Sequence, residues 1–311
     1  ITGGATNNYF GTAFTAGDFN ADGKTDLAIG ANGYSTNTGR AYIFYNDGSI
    51  PTTAGTADVT ITGGATNNYF GTAFTAGDFN ADGKTDLAIG ANGYSTNTGR
   101  AYIFYNDGSI PTTAGTADVT ITGETTDNYF GYALVSGDFN ADGKTDLAGG
   151  SYGYSTNTGR AYIFYNDGSI PTAVDSADMI ITGETTNNYF GYALTSGDFN
   201  ADGKTDLAIG ANGYSTNTGR AYIFYNDGSI PTTAGTADMT ITGETTNNYF
   251  GGAFTSGDFN ADGKTDLAGG SYGYSTNTGR VSVYITEAKA INEEKIIMRG
   301  SVKMLGDVKM R

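Results

Sequence analysis

The residues with chemistry to offer are aspartates in a fixed spacing. Asp18, Asn20, Asp22 and Asp26 occupy positions 1, 3, 5 and 9 of the segment DFNADGKTD, with Gly23 at position 6 and Lys24 at position 7. Oxygen-bearing side chains at alternate positions of a tight loop point inward together, and a hard cation such as Ca²⁺ takes about six to eight oxygen ligands. Gly23 permits the sharp turn, and Lys24 would add its backbone carbonyl while its side chain faces solvent. The pattern recurs as Asp78, Asn80, Asp82, Lys84 and Asp86; as Asp138, Asn140, Asp142, Lys144 and Asp146; as Asp198, Asn200, Asp202, Lys204 and Asp206; and as Asp258, Asn260, Asp262, Lys264 and Asp266. An EF-hand shares the first six positions but requires a bidentate Glu at position 12. Here that position is Ile29, or Gly149 in the third copy. The loops are therefore expected to be hairpin Ca²⁺ sites closed by Asp26 and its equivalents, about one ion per copy and five in total. The alternative is an Asx-rich turn that holds no metal. Three aspartates brought together in each loop would repel one another without a cation.

The elements that must position these loops repeat with a period of 60 residues. Residues 1–60 and 61–120 are identical, 121–180 and 181–240 differ little, and 241–286 begin a fifth copy. A fixed long period signals an array, a solenoid or a propeller. Each copy holds four strand-like runs: Tyr9–Phe19, Thr25–Gly30, Arg40–Tyr45 and Ala57–Gly63. Clusters of Gly, Asn and Asp separate them, and no window shows a long apolar face with helical period. Pro51, Pro111, Pro171 and Pro231 fall between the runs, where a missing N–H costs nothing. Four short strands per unit, repeated radially, predict an all-β β-propeller of four-stranded antiparallel blades. RAYIFY is apolar on both faces, as a blade sandwiched between neighbours requires. The ring is either closed by five blades or part of a larger propeller.

Phe10-Gly11, the DxNxDGxxD loop and Leu27–Ala31 (LAIGA) together resemble the FG-GAP repeat of integrin α-subunit β-propellers, which also occurs in bacterial and archaeal extracellular proteins. The resemblance covers residues 1 to about 286. It implies a propeller with Ca²⁺ in the hairpin between the first two strands of each blade. Two departures stand out. The Pro of the GAP segment is Asn32 here, with Gly150-Ser151-Tyr152 and Gly270-Ser271-Tyr272 in copies three and five; and integrin propellers have seven repeats where five are visible. The residues themselves already account for Phe-Gly: Phe10 is expected to fill the gap between blades, and Gly11 to let another backbone approach. Tyr34, Tyr42 and Tyr45 read as blade-to-blade core, and Asp47 and Asp58 as solvated turn residues.

Composition narrows the function. The 311 residues contain no Cys, His or Trp, 32 Asp+Glu against 16 Lys+Arg, and a net charge of −16. Thiolate and imidazole chemistry are excluded. An acidic surface repels nucleic-acid phosphate and anionic membranes. Hydrophobic residues at 38% and aromatics at 13% suffice for a core. No apolar run approaches the ~20 residues of a membrane span. Near-identical units supply no unique catalytic constellation; the nearest candidates, Glu124, Glu184 and Glu244, lie one per blade, and no enzyme is expected. The reading is a calcium-stabilised extracellular binding or adhesion module with a protein or glycan partner at the cell surface, using repeated sites for avidity. A lectin-like propeller and a purely structural scaffold are the alternatives; oligomeric state is open. Residues 287–311 carry 6 basic and 4 acidic residues and differ in character, with 295–300 (KIIMRG) a candidate strand. Ile1–Gly3 reads either as a strand closing the ring or as the tail of a preceding blade.

Overall fold

The computed structural model describes residues 1–286. The anticipated strand at 295–300, with the rest of 287–311, lies outside the described residues. Blade one is an antiparallel meander of β1 (Phe10–Gly17), β2 (Asp26–Ala31), β3 (Arg40–Phe44) and β4 (Val59–Thr62), hydrogen-bonded in that order. Blades two to four repeat this order. The fifth has three strands among the described residues, ending at Arg280–Tyr284. The protein is an all-β propeller of five blades. First strands of successive blades pack on one another, so they line the centre and the fourth strands lie outside.

The blades stack through apolar faces. One side of blade one presents Phe19, Ala28, Ala41, Ile43 and Ile61. It packs on Phe70, Phe74, Leu87, Ile89, Tyr102 and Phe104 of blade two. Equivalent cores join blades two to three, three to four and four to five. β3 and its copies in blades two to four are buried on both faces, which is why RAYIF carries no charged residue after its arginine.

The Phe-Gly pair acts as anticipated in blades two to five, whereas in blade one Phe10 is only partly buried and a Cβ at Gly11 would meet nothing within 4 Å. Phe70, Phe130, Phe190 and Phe250 are fully buried or nearly so, and each contacts ring edges of its own blade, as Phe70 does with Tyr102 at 5.4 Å. Gly71 has φ +92°, at an irregularity in the strand register between Phe70 and Ala73. That bulge pushes its carbonyl against Gly30 of the preceding blade, where a Cβ would lie 2.1 Å from the oxygen. The glycine of FG and the glycine of the following segment are thus mated across blades. A parallel bridge between Gly39 and Phe70 accompanies the contact, and each junction to blade five repeats it. In blades three to five a serine also reaches back across the junction: Ser196 Oγ donates to the Ser136 carbonyl at 2.8 Å, and Ser256 to Ser196 at 2.7 Å.

The NGYSTNTG segment between the second and third strands forms a tight turn. Ser35, Thr36 and Asn37 all take left-handed φ values (48°, 58° and 60°), and the same turn recurs in every copy. Beside it, the Arg40 guanidinium lies 3.7 Å from the centre of the Tyr34 ring, a cation–π contact. Tyr34 therefore serves mainly as a platform for arginine, while Tyr42 and its copies are the buried blade core.

Candidate metal centre

Successive hairpins of a meander alternate ends. The loops after the first strands and the β3–β4 connections therefore share one end of the propeller, and the NGYSTNTG turns occupy the other. All five acidic loops sit at the same end. Their backbone geometry follows the residue types: Gly23 adopts φ +84°, and Ala21 also enters the left-handed region at φ +58°.

The loop is organised by its own amides. The Asp22 N–H donates to Asp18 Oδ1 at 3.1 Å and to Asn20 Oδ1 at 3.0 Å. The Gly23 N–H donates to Asp18 Oδ2 at 2.8 Å, and the Lys24 N–H to Asp22 Oδ1 at 2.9 Å. These bonds recur in all five copies, within about 0.1 Å. Asp18, Asn20 and Asp22 and their equivalents are thereby brought onto one turn. Among the described residues no group of three or more carboxylates converges closely enough to enclose a metal ion. By donor type the loop nonetheless fits a hard cation. An ionised carboxylate offers about four lone-pair positions, and one amide per oxygen leaves each oxygen able to coordinate.

Asp26 does something the spacing did not reveal. It is buried below the loop, where Oδ2 accepts the Phe19 N–H at 2.9 Å and Oδ1 the Asn46 N–H at 2.7 Å. Its copies do the same. The carboxylate ties the end of the first strand to the end of the third. The available signal was an acid at the head of an apolar run, DLAIG. Burial pushes the carboxyls of Asp86, Asp146 and Asp206 up to about 6, against the backbone donors that favour ionisation; the loop aspartates add to the rise. In the exposed loop the direction reverses: the Lys24 amide holds Asp22 below the usual carboxylate range, and the Gly263 amide does so for Asp258.

Lys24 also departs from expectation. Its side chain is about half exposed, yet Nζ turns back to lie 3.4 Å from Asp22 Oδ2. Lys84, Lys144 and Lys264 make the same approach at 3.6–3.8 Å. Exposed pairs of this kind contribute little stability, but they place positive charge beside the loop carboxylates. Asp58 is likewise not merely a solvated turn residue: its Oδ2 accepts the Tyr45 N–H at 2.8 Å. Glu124 is held by Arg160 Nη1 at 2.9 Å and by the Tyr162 hydroxyl at 3.1 Å. Glu184 and Glu244 pair with Arg220 and Arg280 of their own blades. Each glutamate is committed to an arginine.

A radial stack of four-stranded blades, each with an acidic first hairpin and Phe-Gly/Gly contacts at every junction, defines a repeat-built propeller of the integrin type. The FG-GAP repeat family model matches residues 10–44, 70–104, 130–164, 190–224 and 250–284, and the chain belongs to that family. Among curated relatives, the phosphatidylinositol-glycan-specific phospholipase D of Bos taurus is 30% identical over 69% of this chain and 28% of its own length. Integrin alpha-PS2 of Drosophila melanogaster is 32% identical over 66% of this chain and 15% of its own length. Integrin alpha-5 of Xenopus laevis is 28% identical over 67% and 20%. The chain thus spans under a third of the length of these relatives.

Proposed function

We propose that this chain is a non-catalytic, calcium-stabilised extracellular module that recognises a protein partner through repeated surfaces. The observation that carries the reading is the fivefold recurrence of one acidic hairpin at one end of the propeller, each loop holding three aspartates and an asparagine. Asp18, Asn20, Asp22 and the Lys24 carbonyl would hold the ion, with Asp26 closing the site from below, and likewise in the other four copies. The ion would supply electrostatic cement, offsetting the repulsion among the loop carboxylates. Affinity in the range of about 10⁻⁴–10⁻³ M suits extracellular calcium. The integrin relatives support a protein partner and an extracellular home. The phospholipase D relatives do not carry catalysis here, since this chain matches about a quarter of their length and Glu124, Glu184 and Glu244 are bound up in ion pairs. No described helix is long and apolar enough to cross a membrane.

The partner surface we assign is the end opposite the acidic loops. Tyr129 and Tyr152 stack there at 4.9 Å, and Tyr132 meets Tyr152 edge-on at 4.8 Å and Tyr192 through their hydroxyls at 2.8 Å. Aromatic residues are enriched in interface cores, and the same cluster keeps a glycan ligand as the second reading. Native mass spectrometry with and without Ca²⁺ tests the metal: five ions bound per chain are expected, and none at millimolar Ca²⁺ would refute the reading. Partner capture with a Tyr152→Ala comparison, set beside a glycan array, tests the surface.

A further inference from the structure

One position that varies among the copies settles whether an arginine has a partner. In blade three, Arg160 Nη1 donates to both oxygens of Glu124 at 2.9 and 3.1 Å, and the Tyr162 hydroxyl donates to Oε2 at 3.1 Å. Glu184 takes the same place in blade four, with Arg220 Nη1 at 3.5 Å and the Tyr222 hydroxyl donating at 2.8 Å. Glu244 pairs with Arg280 in blade five. In the first two copies the corresponding residues are Gly4 and Gly64. The rest of the receptor is unchanged. The Arg100 guanidinium lies 3.7 Å from the centre of the Tyr94 ring and 5.7 Å from that of Tyr102, and its Nε donates to Thr122 Oγ1 at 3.0 Å. Arg40 keeps Tyr34, Tyr42 and Thr62 in the same way. Among the described residues no acid forms an ion pair with Arg40 or Arg100. A Cβ at Gly4 or Gly64 would meet nothing within 4 Å, so nothing crowds the place from which the glutamate reaches in the later blades.

Local charge agrees. The acids of the first copy, Asp18, Asp22, Asp26, Asp47 and Asp58, all fall in or beside the connections at the acidic end, and those of the second copy match them. The arginine is thus the only charged side chain that each of these copies contributes at the opposite end. A guanidinium held on a tyrosine ring is a pre-organised fork for a carboxylate. We propose that Arg40 and Arg100 bind carboxylates of an acidic peptide segment of a partner protein, each taking the place that the chain's own glutamate takes in blades three to five. The occupant is an acidic side chain because the same arginine receptor already holds one three times within the chain. The site is separate from the tyrosine cluster of blades three and four and depends neither on that surface nor on bound calcium.

The test follows the arginine Nε–H resonances of the full chain, isotope-labelled at arginine, during titration with the peptide acetyl-Glu-Ala-Glu-amide at low salt. Saturable shifts are expected at Arg40 and Arg100, with Arg160 and Arg220 unmoved. The glutamine counterpart of the peptide should bind about tenfold more weakly, because hydrogen bonds to charged groups are the stronger ones. Gly64→Glu installs the residue that copies three to five carry there and should silence Arg100 alone. Glu124→Gly should make Arg160 respond; if that variant fails to fold, Gly64→Glu decides by itself. Absence of a saturable shift at Arg40 and Arg100, equal shifts at Arg160 and Arg220, or an Arg100 response that survives Gly64→Glu would each overturn the proposal. Glucuronate supplies a sugar-borne carboxylate for comparison, and tighter binding of it than of the peptide would overturn the peptide assignment.

Discussion

Adding one methyl group at equivalent glycines of two blades should give effects of opposite sign. In Gly90→Ala the new Cβ would sit 1.9 Å from the Gly131 carbonyl oxygen, where ordinary contact begins near 3.4 Å. Backbone on both sides leaves no side chain to swing away, so blade three must retreat by about 1.5 Å. A gap of about 0.5–1 Å already forfeits a quarter to a half of each dispersion contact along the junction. Overpacking typically costs about 1–3 kcal/mol; a backbone obstacle places this case at the upper end, near 3 kcal/mol. At roughly 2–4 °C per kcal/mol for chains somewhat smaller than this one, the melting temperature should drop by about 6–12 °C. In Gly270→Ala the nearest atoms are Ala253 Cβ and its carbonyl oxygen, both at 3.7 Å, and no positive φ opposes a side chain. Reduced freedom of the unfolded chain then stabilises by about 0.4–1 kcal/mol. The assay is urea unfolding followed by circular dichroism, at low chain concentration so that any association does not contribute. Equal losses in the two variants would mean that blade five is covered as the others are, and would refute the reasoning.

Chelation should lower the melting temperature: a ligand at ten to a hundred times its Kd adds about 1.4–2.7 kcal/mol per site, and an unchanged melt in excess EDTA would contradict the calcium reading. Asp86→Ala orphans the buried amides of Phe79 and Asn106, costing about 1–3 kcal/mol each, so its loss should persist in chelator. Asp82→Ala, on the exposed loop, should matter chiefly when Ca²⁺ is present; an Asp86→Ala loss that disappears in chelator would show that Asp86 is no strut. Phe130→Ala should cost about 3–5 kcal/mol in denaturant unfolding, against under ~0.5 kcal/mol for the exposed Phe14→Ala.

Much of this was readable without a structure because the sequence states the same blade five times. Strands at 10–17, 40–44 and 59–62 lie inside the runs that β-branched and aromatic residues marked, the strand at 26–31 passes the end of its run by one residue, and glycine-rich turns bound them. Phe70 and Gly71 were assigned their roles from size alone, since a large ring fills a gap and a missing side chain lets backbone approach. The shape of the loop was legible because the Asp, Asn and Gly spacing of a turn is local. The part Asp26 plays as a strut was not, because it depends on the Asn46 amide, 20 residues away, arriving at the end of the third strand. Asp58 is the exposed turn residue it read as, and its bond from the Tyr45 N–H across a turn was hidden for the same reason. Lys24 looked solvent-facing because nothing local shows a long side chain folding back on Asp22.

The blade follows from short-range terms: hydrogen bonding between neighbouring strands and the alternation of side chains are local, so identical units fold alike. Which faces of those blades are covered depends on long-range packing instead. Phe14 and Phe74 sit in identical 60-residue stretches, yet one is exposed and the other buried. Burial of a blade face is a property of the neighbour stacked on it, and no residue within the unit encodes whether that neighbour is there.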